Sequence, residues 1–410
     1  MNATRQQFVF INAAHGFCHY CLLILPTAVL AMARPGGGFG ENYGPILGLA
    51  TGMFVLYGLF ALPQGWLAAR IGRPRLMTAF FVGTGISMAA TGLAATPLTL
   101  GLALAATGLF AAIYHPIGTA LLVDVAGDKP GRAIGLNGVF GNIGVAMAPV
   151  ATAFLAVSYG WQWAFVIPGV LCAAVGLLWM RVAPYDVSKH RTGRPFPAIP
   201  PHLVRRAVVV LLLIAAVSGL VFNAFTLLIP KLMQERLAGD PRLLPLAGLA
   251  ATVATLCGAA AQLTVGRLID RATLRRLFLP MATALVPVMA GLAFADGLLV
   301  LPFAGLVAGL LFGQVTLNET MTARYISPAL RTRMYSIRFF VGFLGSAAAA
   351  PVVGTLHERT GNLSASILVL AGCACVTLAC ALFFPDRREE LDPALWAVAE
   401  RPNDMAVPAE

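Results

Sequence analysis

Two adjacent apolar segments decide how this 410-residue chain folds. They are Gly108-Leu-Phe-Ala-Ala-Ile-Tyr-His-Pro-Ile-Gly118 and Asp128-Lys-Pro-Gly-Arg-Ala-Ile-Gly-Leu-Asn-Gly-Val-Phe-Gly-Asn-Ile-Gly-Val-Ala-Met-Ala-Pro149. A short charged turn at 127–130 joins them, yet polar or helix-perturbing residues lie deep inside both: His115, Pro116, Asn137, Asn142 and Pro149. An unpaired polar group in the hydrocarbon core of a bilayer costs several kcal/mol. These residues are therefore expected to face protein or a water-filled cavity, as along a transport pathway.

The composition of the chain indicates a polytopic membrane protein. Hydrophobic residues make up 59% and charged residues 11% of the sequence, whereas soluble domains contain about 25% charged residues. The mean hydropathy is +0.82. We attribute the formal charge of +11 to basic cytoplasmic loops rather than to nucleic-acid binding. The seven cysteines lie in apolar segments without metal-finger spacing, so neither a disulfide framework nor a cofactor is expected.

A membrane-spanning helix needs about 20 apolar residues, and the sequence offers twelve such stretches. The predicted spans 1 to 12 are 8–32, 44–69, 75–95, 98–124, 132–157, 161–183, 205–232, 243–268, 275–295, 297–325, 331–357 and 362–385. We predict an all-α membrane protein with twelve transmembrane helices in two pseudo-symmetric six-helix bundles, at 1–183 and 205–385. A proline-rich cytoplasmic linker at 184–204 joins the bundles, and 386–410 forms a cytoplasmic tail.

Two patterns support this organisation. Most of the 28 lysine and arginine residues lie in the N-terminus, in the loops after even-numbered spans, and in the linker and tail. By the positive-inside rule, both termini are then cytoplasmic, and we expect a bacterial inner membrane. Short matches also recur about 200 residues apart: Pro26 with Pro230, Gly65 with Gly266, and Pro149 with Pro351. This spacing indicates a duplicated six-helix unit.

The loop after span 2, Gly65-Trp-Leu-Ala-Ala-Arg70-Ile-Gly72-Arg73-Pro-Arg75, and its copy Gly266-Arg-Leu-Ile-Asp270-Arg271 resemble the signature loop of the major facilitator superfamily. The resemblance covers the whole chain and implies alternating access around a central cavity. Glycine permits close helix approach and a tight turn, the acid can interact with a helix N-terminus, and the arginines anchor the cytoplasmic face. Ala69 stands where the family usually has Asp, so we expect a weaker latch in the first half.

Span 5 carries a second resemblance. Gly135, Gly144, Ala148 and Pro149 fit the spacing of a motif associated with antiporters in this superfamily, although ordinary small-residue packing is an alternative. More narrowly, Tyr114-His-Pro116, Gly131-Arg132 and Phe140-Gly-Asn-Ile-Gly144 resemble the fosmidomycin-resistance branch, which is similar to proton-driven drug efflux pumps. Ile117 and His19 stand where that branch has acids, so its usual carboxylate proton carriers are missing.

In this superfamily spans 1, 4, 7 and 10 line the cavity. The resemblance and the polar residues together give these candidates for proton coupling or substrate contact: His15, His19, Tyr114, His115, Asn137, Asn142, Asn223, Gln314, Asn318, Glu319 and Arg338. At about 1.5 Å per residue, His19 lies roughly 16 Å and His115 roughly 14 Å from the same membrane face, so the two should share a level. Histidine titrates near pH 6.5, so either could carry a proton, or serve helix packing alone.

Glu319 and Arg338 should also meet, because each lies about two turns from the turn at 326–330, on consecutive antiparallel spans. Pairing is the expected way to keep such charges inside a membrane. The sequence leaves two roles open for the pair: a structural contact, or one that protons or substrate switch.

The favoured function is a secondary transporter that exports a small organic, drug-like molecule by proton-coupled antiport, acting as a monomer. Asn12, His15 and His19 share a helical face with Cys18 beside them, and imidazole and thiolate suit copper or zinc. Transition-metal uptake is thus an alternative, as are uptake of a small organic anion and a non-transporting sensor or assembly protein. An enzyme is disfavoured, because no nucleophile–base pair or phosphate loop is evident outside the membrane.

Overall fold

A computed structural model describes residues 3–33, 39–40, 43–126, 130–182, 200–237 and 247–385, and every regular element in these ranges is helical. Most of the predicted linker, the tail and the turn at 127–129 lie outside these residues. The C-terminal boundary of the linker lies earlier than predicted, because the first helix of the second half begins at Pro201 and not at 205.

Within its described residues, the first half contains ten helices that correspond to the six predicted spans. They are α1 (Ala3–Leu22), α2 (Ile24–Met32), α3 (Tyr43–Gly48), α4 (Thr51–Ala61), α5 (Gln64–Ile71), α6 (Arg73–Gly92), α7 (Pro97–Ala111), α8 (Tyr114–Ala126), α9 (Pro130–Tyr159) and α10 (Trp163–Val182). Spans 1 and 4 are each broken once and span 2 twice, whereas α9 continues through Pro149 without a break.

The described part of the second half contains seven helices and a 3-10 turn at Gly297–Leu299. The helices are α11 (Pro201–Leu237), α12 (Ala247–Ile269), α13 (Leu274–Phe294), α14 (Val300–Tyr325), α15 (Pro328–Ala347), α16 (Ala349–Thr360) and α17 (Ser364–Phe383). Span 11 is the broken one here, at Ala348.

Two of the breaks in the first half have a proline as their cause. A proline ring clashes with the carbonyl four residues earlier and removes one hydrogen bond. The α1–α2 break at Leu23 lies next to Leu22, which is four residues before Pro26. The α7–α8 break includes Ala112, which is four residues before Pro116. The second break sets Tyr114 and His115 at the start of a new helix, at mid-depth in the bundle.

Nine helices are long and apolar enough to cross a membrane, or ten if the pair Pro45–Ala61 and Gln64–Ile71, bent by 62°, is one span; only the described residues enter this count. Predicted spans 3 and 11 are not among these helices. Both carry arginines, Arg73 and Arg75 in α6 and Arg331, Arg333 and Arg338 in α15, which lower their apolarity.

Each half has its own apolar core. In the first half the core includes Phe80, Phe81 and Trp179. In the second half one cluster includes Met289 and Phe312, and another includes Phe278 and Phe384. Apart from Ala323 of α14, which joins the first-half cluster, each buried cluster belongs to one half, as expected for two six-helix bundles.

The repeat is visible in how helices approach each other. A Cβ at Gly144 of α9 would overlap the backbone carbonyl of Gly16 in α1. In the second half, Gly345 of α15 lies equally close to the backbone of Ala216 in α11, and Gly219 to that of Gly342. The close packing predicted for Gly144 is thus confirmed, and its counterpart lies about 200 residues later.

Gly144→Ala should lower the stability of the protein by about 1–3 kcal/mol, since the added methyl group meets fixed backbone. Gly372→Ala is the matched control, because Gly372 is also helical and nothing lies within 4 Å of its Cβ position. The control should be neutral or slightly stabilising. Thermal unfolding in detergent measures both, and equal melting temperatures would contradict the packing account.

Candidate functional site

A buried network of polar side chains joins α1, α8 and α9. His15 Nδ1 donates to the Asn137 carbonyl oxygen at 2.6 Å, and Tyr114 donates to Asn137 Oδ1 at 3.0 Å. Asn137 Nδ2 donates to Asn12 Oδ1 at 2.9 Å. Gly141 makes room for this network, because a Cβ there would lie 2.7 Å from His15 Cε1. Three helices are therefore fixed to one another through Asn137, which takes part in every one of these hydrogen bonds.

Three histidines meet beside this network. His15 Nε2 and His19 Nε2 are 3.1 Å apart, and the His115 ring centroid lies 5.4 Å from that of His15 and 5.3 Å from that of His19. The predicted common level of His19 and His115 is confirmed. Cys18 does not join them: its Sγ lies 3.4 Å from the Tyr57 hydroxyl. The grouping of Cys18 with the two α1 histidines was wrong in this respect, because Cys18 lies about 100° around the helix from its neighbour His19 and its thiol contacts α4.

Aromatic rings from the second bundle cover the histidines. The Phe339 ring of α15 lies 4.7 Å from the His115 ring, and the Phe343 ring lies 6.5 Å from it. Phe343 also contacts Tyr57 of α4, at 4.7 Å between centroids. The histidine cluster thus lies at the interface between the bundles.

The second bundle contributes the predicted ion pair. Arg338 Nη2 lies 2.9 Å from Glu319 Oε1, and both side chains are less than one tenth exposed. Arg338 also donates to Thr322 Oγ1 at 3.3 Å, and its guanidinium carbon lies 5.5 Å from the Phe339 ring centroid. Phe339 therefore contacts both the histidine cluster and the ion pair.

The other predicted cavity residues are more dispersed. Asn142 donates to Gln262 Oε1 at 2.8 Å, between α9 and α12. Asn223 is exposed and donates to Ser346 Oγ at 2.7 Å. Gln314 and Asn318 are buried on α14. Among the described residues, three atoms near them have no hydrogen-bond partner: Gln314 Nε2, Asn318 Oδ1 and Glu319 Oε2. The roles predicted for these residues stay predictions.

A second buried charge cluster holds the bundles together at the arginine-rich end, which is the end formed by the loops after spans 2, 4, 8 and 10. Asp124 of α8 accepts from Arg73 of α6 at 2.7 Å and from Arg331 of α15 at 2.8 Å. All three side chains are 6% exposed or less. Arg73 is thus a buried ion-pair partner, and its predicted role as an anchor of the cytoplasmic face stays a prediction.

Sequence reasoning missed Asp124, because this residue ends predicted span 4 and its burial depends on how the two bundles pack together. The available signal was the presence of two arginines, Arg73 and Arg331, in short loops facing the same end. Such charges need an acid when the loops pack together.

The signature loops make the remaining contacts at this end. Asp270 accepts from the backbone N–H groups of Gly131 at 3.1 Å and Arg132 at 3.0 Å, as predicted for an acid at a helix N-terminus. The approach is close, because a Cβ at Gly135 or Gly266 would meet backbone of the other bundle. Arg70 and Arg271 remain exposed.

The first-half loop has a different contact. A Cβ at Gly65 would lie 2.5 Å from Arg333 Cα, so α5 packs directly on α15. Gly72 ends α5 with φ of 91°, the tight turn expected of it. Ala69 is exposed, and the expectation of a weaker latch at that position stays a prediction.

Asp124→Asn should destabilise the protein by about 3–5 kcal/mol, because it leaves two buried arginines without their shared carboxylate. Asp296→Asn is the control: Asp296 pairs with Arg236 at 3.5 Å but is 78% exposed, and an exposed pair contributes about 1 kcal/mol or less. The melting temperatures of the two variants in detergent make the comparison. Equal losses would show that Asp124 does not hold the bundles together.

Comparison with known proteins gives a partial sequence match. The puromycin resistance protein pur8 of Streptomyces alboniger is 32% identical over 147 residues. That match spans 35% of this chain and only 28% of the relative.

Solved structures match over nearly the whole chain. FucP in the outward conformation has a TM-score of 0.71 at 16% identity, covering 94% of this chain and 100% of that one. The human organic anion transporter MFSD10 (TETRAN) has a TM-score of 0.71 at 18% identity, covering 93% of this chain and 100% of that one. The proton:xylose symporter XylE has a TM-score of 0.71 at 13% identity, covering 96% and 99%. At these identities the likeness establishes the fold.

The family follows from the sequence profile described as Major Facilitator Superfamily. It matches residues 16–246 and again residues 244–401, one match for each half of the chain. The chain is thus a transporter and not an enzyme, and it belongs to the major facilitator superfamily.

Proposed function

We propose that this transporter exports a small organic, drug-like molecule in exchange for protons, as a monomer in a bacterial inner membrane with both termini in the cytoplasm. The proposal places it near the fosmidomycin-resistance branch of the superfamily. The observation that carries it is the Glu319–Arg338 pair, which is buried in the second bundle. Phe339 connects this pair to the histidine cluster of the first bundle, and we call the pair and the cluster together the polar layer.

A buried ion pair is costly in a membrane, so its presence favours a functional role for Glu319 and Arg338. Glu319 uses one carboxylate oxygen to accept from Arg338, while Oε2 has no protein partner among the described residues. A proton on Glu319 would remove the negative charge that a cationic or hydrogen-bond-donating group of a substrate needs for binding at this carboxylate. Proton binding and substrate binding would then compete, and this competition is the requirement for antiport.

Helix α15 connects this exchange to the bundle interface. Arg331 and Arg338 are seven residues apart and lie on the same face of α15; Arg331 binds Asp124 of the first bundle, and Arg338 binds Glu319. A displacement of α15 on loss of the second ion pair would therefore strain the first. Protonation of Glu319 is thereby coupled, through α15, to the ion pair that closes the arginine-rich end.

With the arginine-rich end in the cytoplasm, as the positive-inside rule predicts, the described conformation is closed to the cytoplasm. A proton from outside would reach Glu319 in this state. Opening of the arginine-rich end would then let the proton leave and cytoplasmic substrate enter.

The substrate class rests on two supports. The aromatic side chains Tyr57, Tyr114, Phe339 and Phe343 around a few polar groups suit an organic molecule with apolar surface. The partial similarity to a puromycin resistance protein favours export. FucP and XylE are described as proton symporters, so direction has to be measured.

Proton exchange can be followed in inside-out membrane vesicles acidified by respiration. Addition of a substrate from a panel of puromycin, a phosphonate antibiotic and lipophilic cations should dissipate the pH gradient, because protons leave the vesicle in exchange for substrate. We call this proton efflux the release. Glu319→Gln should reduce this release at least tenfold, because glutamine cannot carry the proton. Glu235→Gln is the control, since Glu235 lies outside the layer, beside Lys231 and His357.

A double variant, Glu319→Gln with Arg338→Gln, avoids a lone buried arginine and tests coupling in a protein without that cost. It should fold and should fail to release the gradient. Wild-type release that persists in both Glu319 variants would reject Glu319 as the proton site. Substrate-driven proton uptake in the symport direction would reject export, and absence of any flux would favour a sensor or assembly protein.

A further inference from the structure

The three histidines of the interface have the geometry of a metal site. His15, His19 and His115 each offer a ring nitrogen, and the three ligand atoms lie within 4.8 Å of one another. Zinc–nitrogen bonds of 2.0–2.1 Å in a tetrahedral site place two ligand nitrogens about 3.4 Å apart. The His15 and His19 nitrogens, at 3.1 Å, are already near this value. The third ligand atom needs to move by about 1.4 Å at most to reach it.

The surroundings of His15 fix which nitrogen is available. Its Nδ1 lies 2.6 Å from the Asn137 carbonyl oxygen, which can only accept, so Nδ1 carries the proton. Nε2 of His15 therefore has a free lone pair directed toward His19. A backbone carbonyl that holds the far ring nitrogen of a histidine is the usual outer-shell partner of a metal ligand.

The other two histidines can adapt to an ion. His19 Nε2 donates to His15 Nε2 in the metal-free arrangement, and a change of tautomer moves that proton to Nδ1 and leaves Nε2 as a ligand. In the described part of the chain, the contacts of His115 are with rings, including Phe339 and Tyr57, and none is a hydrogen bond. Its ring nitrogens are thus free to coordinate.

We propose that His15, His19 and His115 bind one late first-row transition-metal ion, with Zn²⁺ as the representative. Three imidazoles without a carboxylate suit zinc, copper or nickel better than calcium or magnesium. Three protein ligands leave a fourth position for water or an anionic ligand. The site joins α1 to α8 next to Phe339 of the other bundle, and its existence does not depend on the direction of transport.

Zinc binding to purified protein tests the site directly. The protein should carry no histidine tag, and isothermal titration with Zn²⁺ should give one site per chain. His19→Gln and His115→Gln should each weaken binding at least tenfold. His202→Gln is the matched control, since His202 is exposed at the start of α11 and distant in sequence from the cluster; its affinity should equal that of the wild type.

The visible absorption of bound Co²⁺ gives a second measurement. Substitution of a histidine with a purely structural role would leave this absorption unchanged. Co²⁺ bound by three imidazoles and one further ligand should show the intense visible absorption of a four-coordinate ion in wild type and His202→Gln, and lose it in the two cluster variants. Melting temperatures of the zinc-free proteins establish that all are folded. Absence of saturable binding in the wild type, or unchanged affinity in both cluster variants, would overturn the proposal.

Discussion

The contact of one carboxylate, Asp124, with two arginines from different bundles is the interaction on which the described conformation depends. Arg73 belongs to the first bundle with Asp124, and Arg331 belongs to the second. Water is excluded from all three, so the pairing is stronger than on a surface and its loss more costly. Together with the capping of α9 by Asp270, it closes one end of a molecule whose halves have separate cores. Two rigid bundles with a breakable contact at one end are what alternating access requires.

The interior beyond this contact is organised by the cost of polarity in a membrane. Asn12, His15, Tyr114 and Asn137 satisfy one another in the first bundle, and Glu319 pairs with Arg338 in the second. Phe339 lies between the two groups. The polar residues therefore form one layer across the interface, while the apolar clusters of each half keep the bundles intact.

Much of this arrangement follows from the sequence, because depth in a membrane can be counted along a helix. Counting places His19 beside His115 and Glu319 beside Arg338, and the acid of the signature loop predicts the cap made by Asp270. The identity of partners between bundles does not follow in this way. The burial of Asp124 and Arg73 could not be counted along a helix, because both lie at the ends of spans, where only packing between the bundles decides burial. Cys18 was grouped with the wrong partners because the direction of a thiol depends on the neighbouring helix.

The most direct test of the account is a pair of distance measurements by double electron–electron resonance in wild type and Asp124→Asn. Spin labels at the exposed positions Arg70 and Arg271 report on the arginine-rich end, and labels at Leu98 and Leu298 report on the opposite end. The account predicts that the variant lengthens the first distance and shortens the second, because the bundles rock about the central layer. Two unchanged distances, or two that both lengthen, would contradict it.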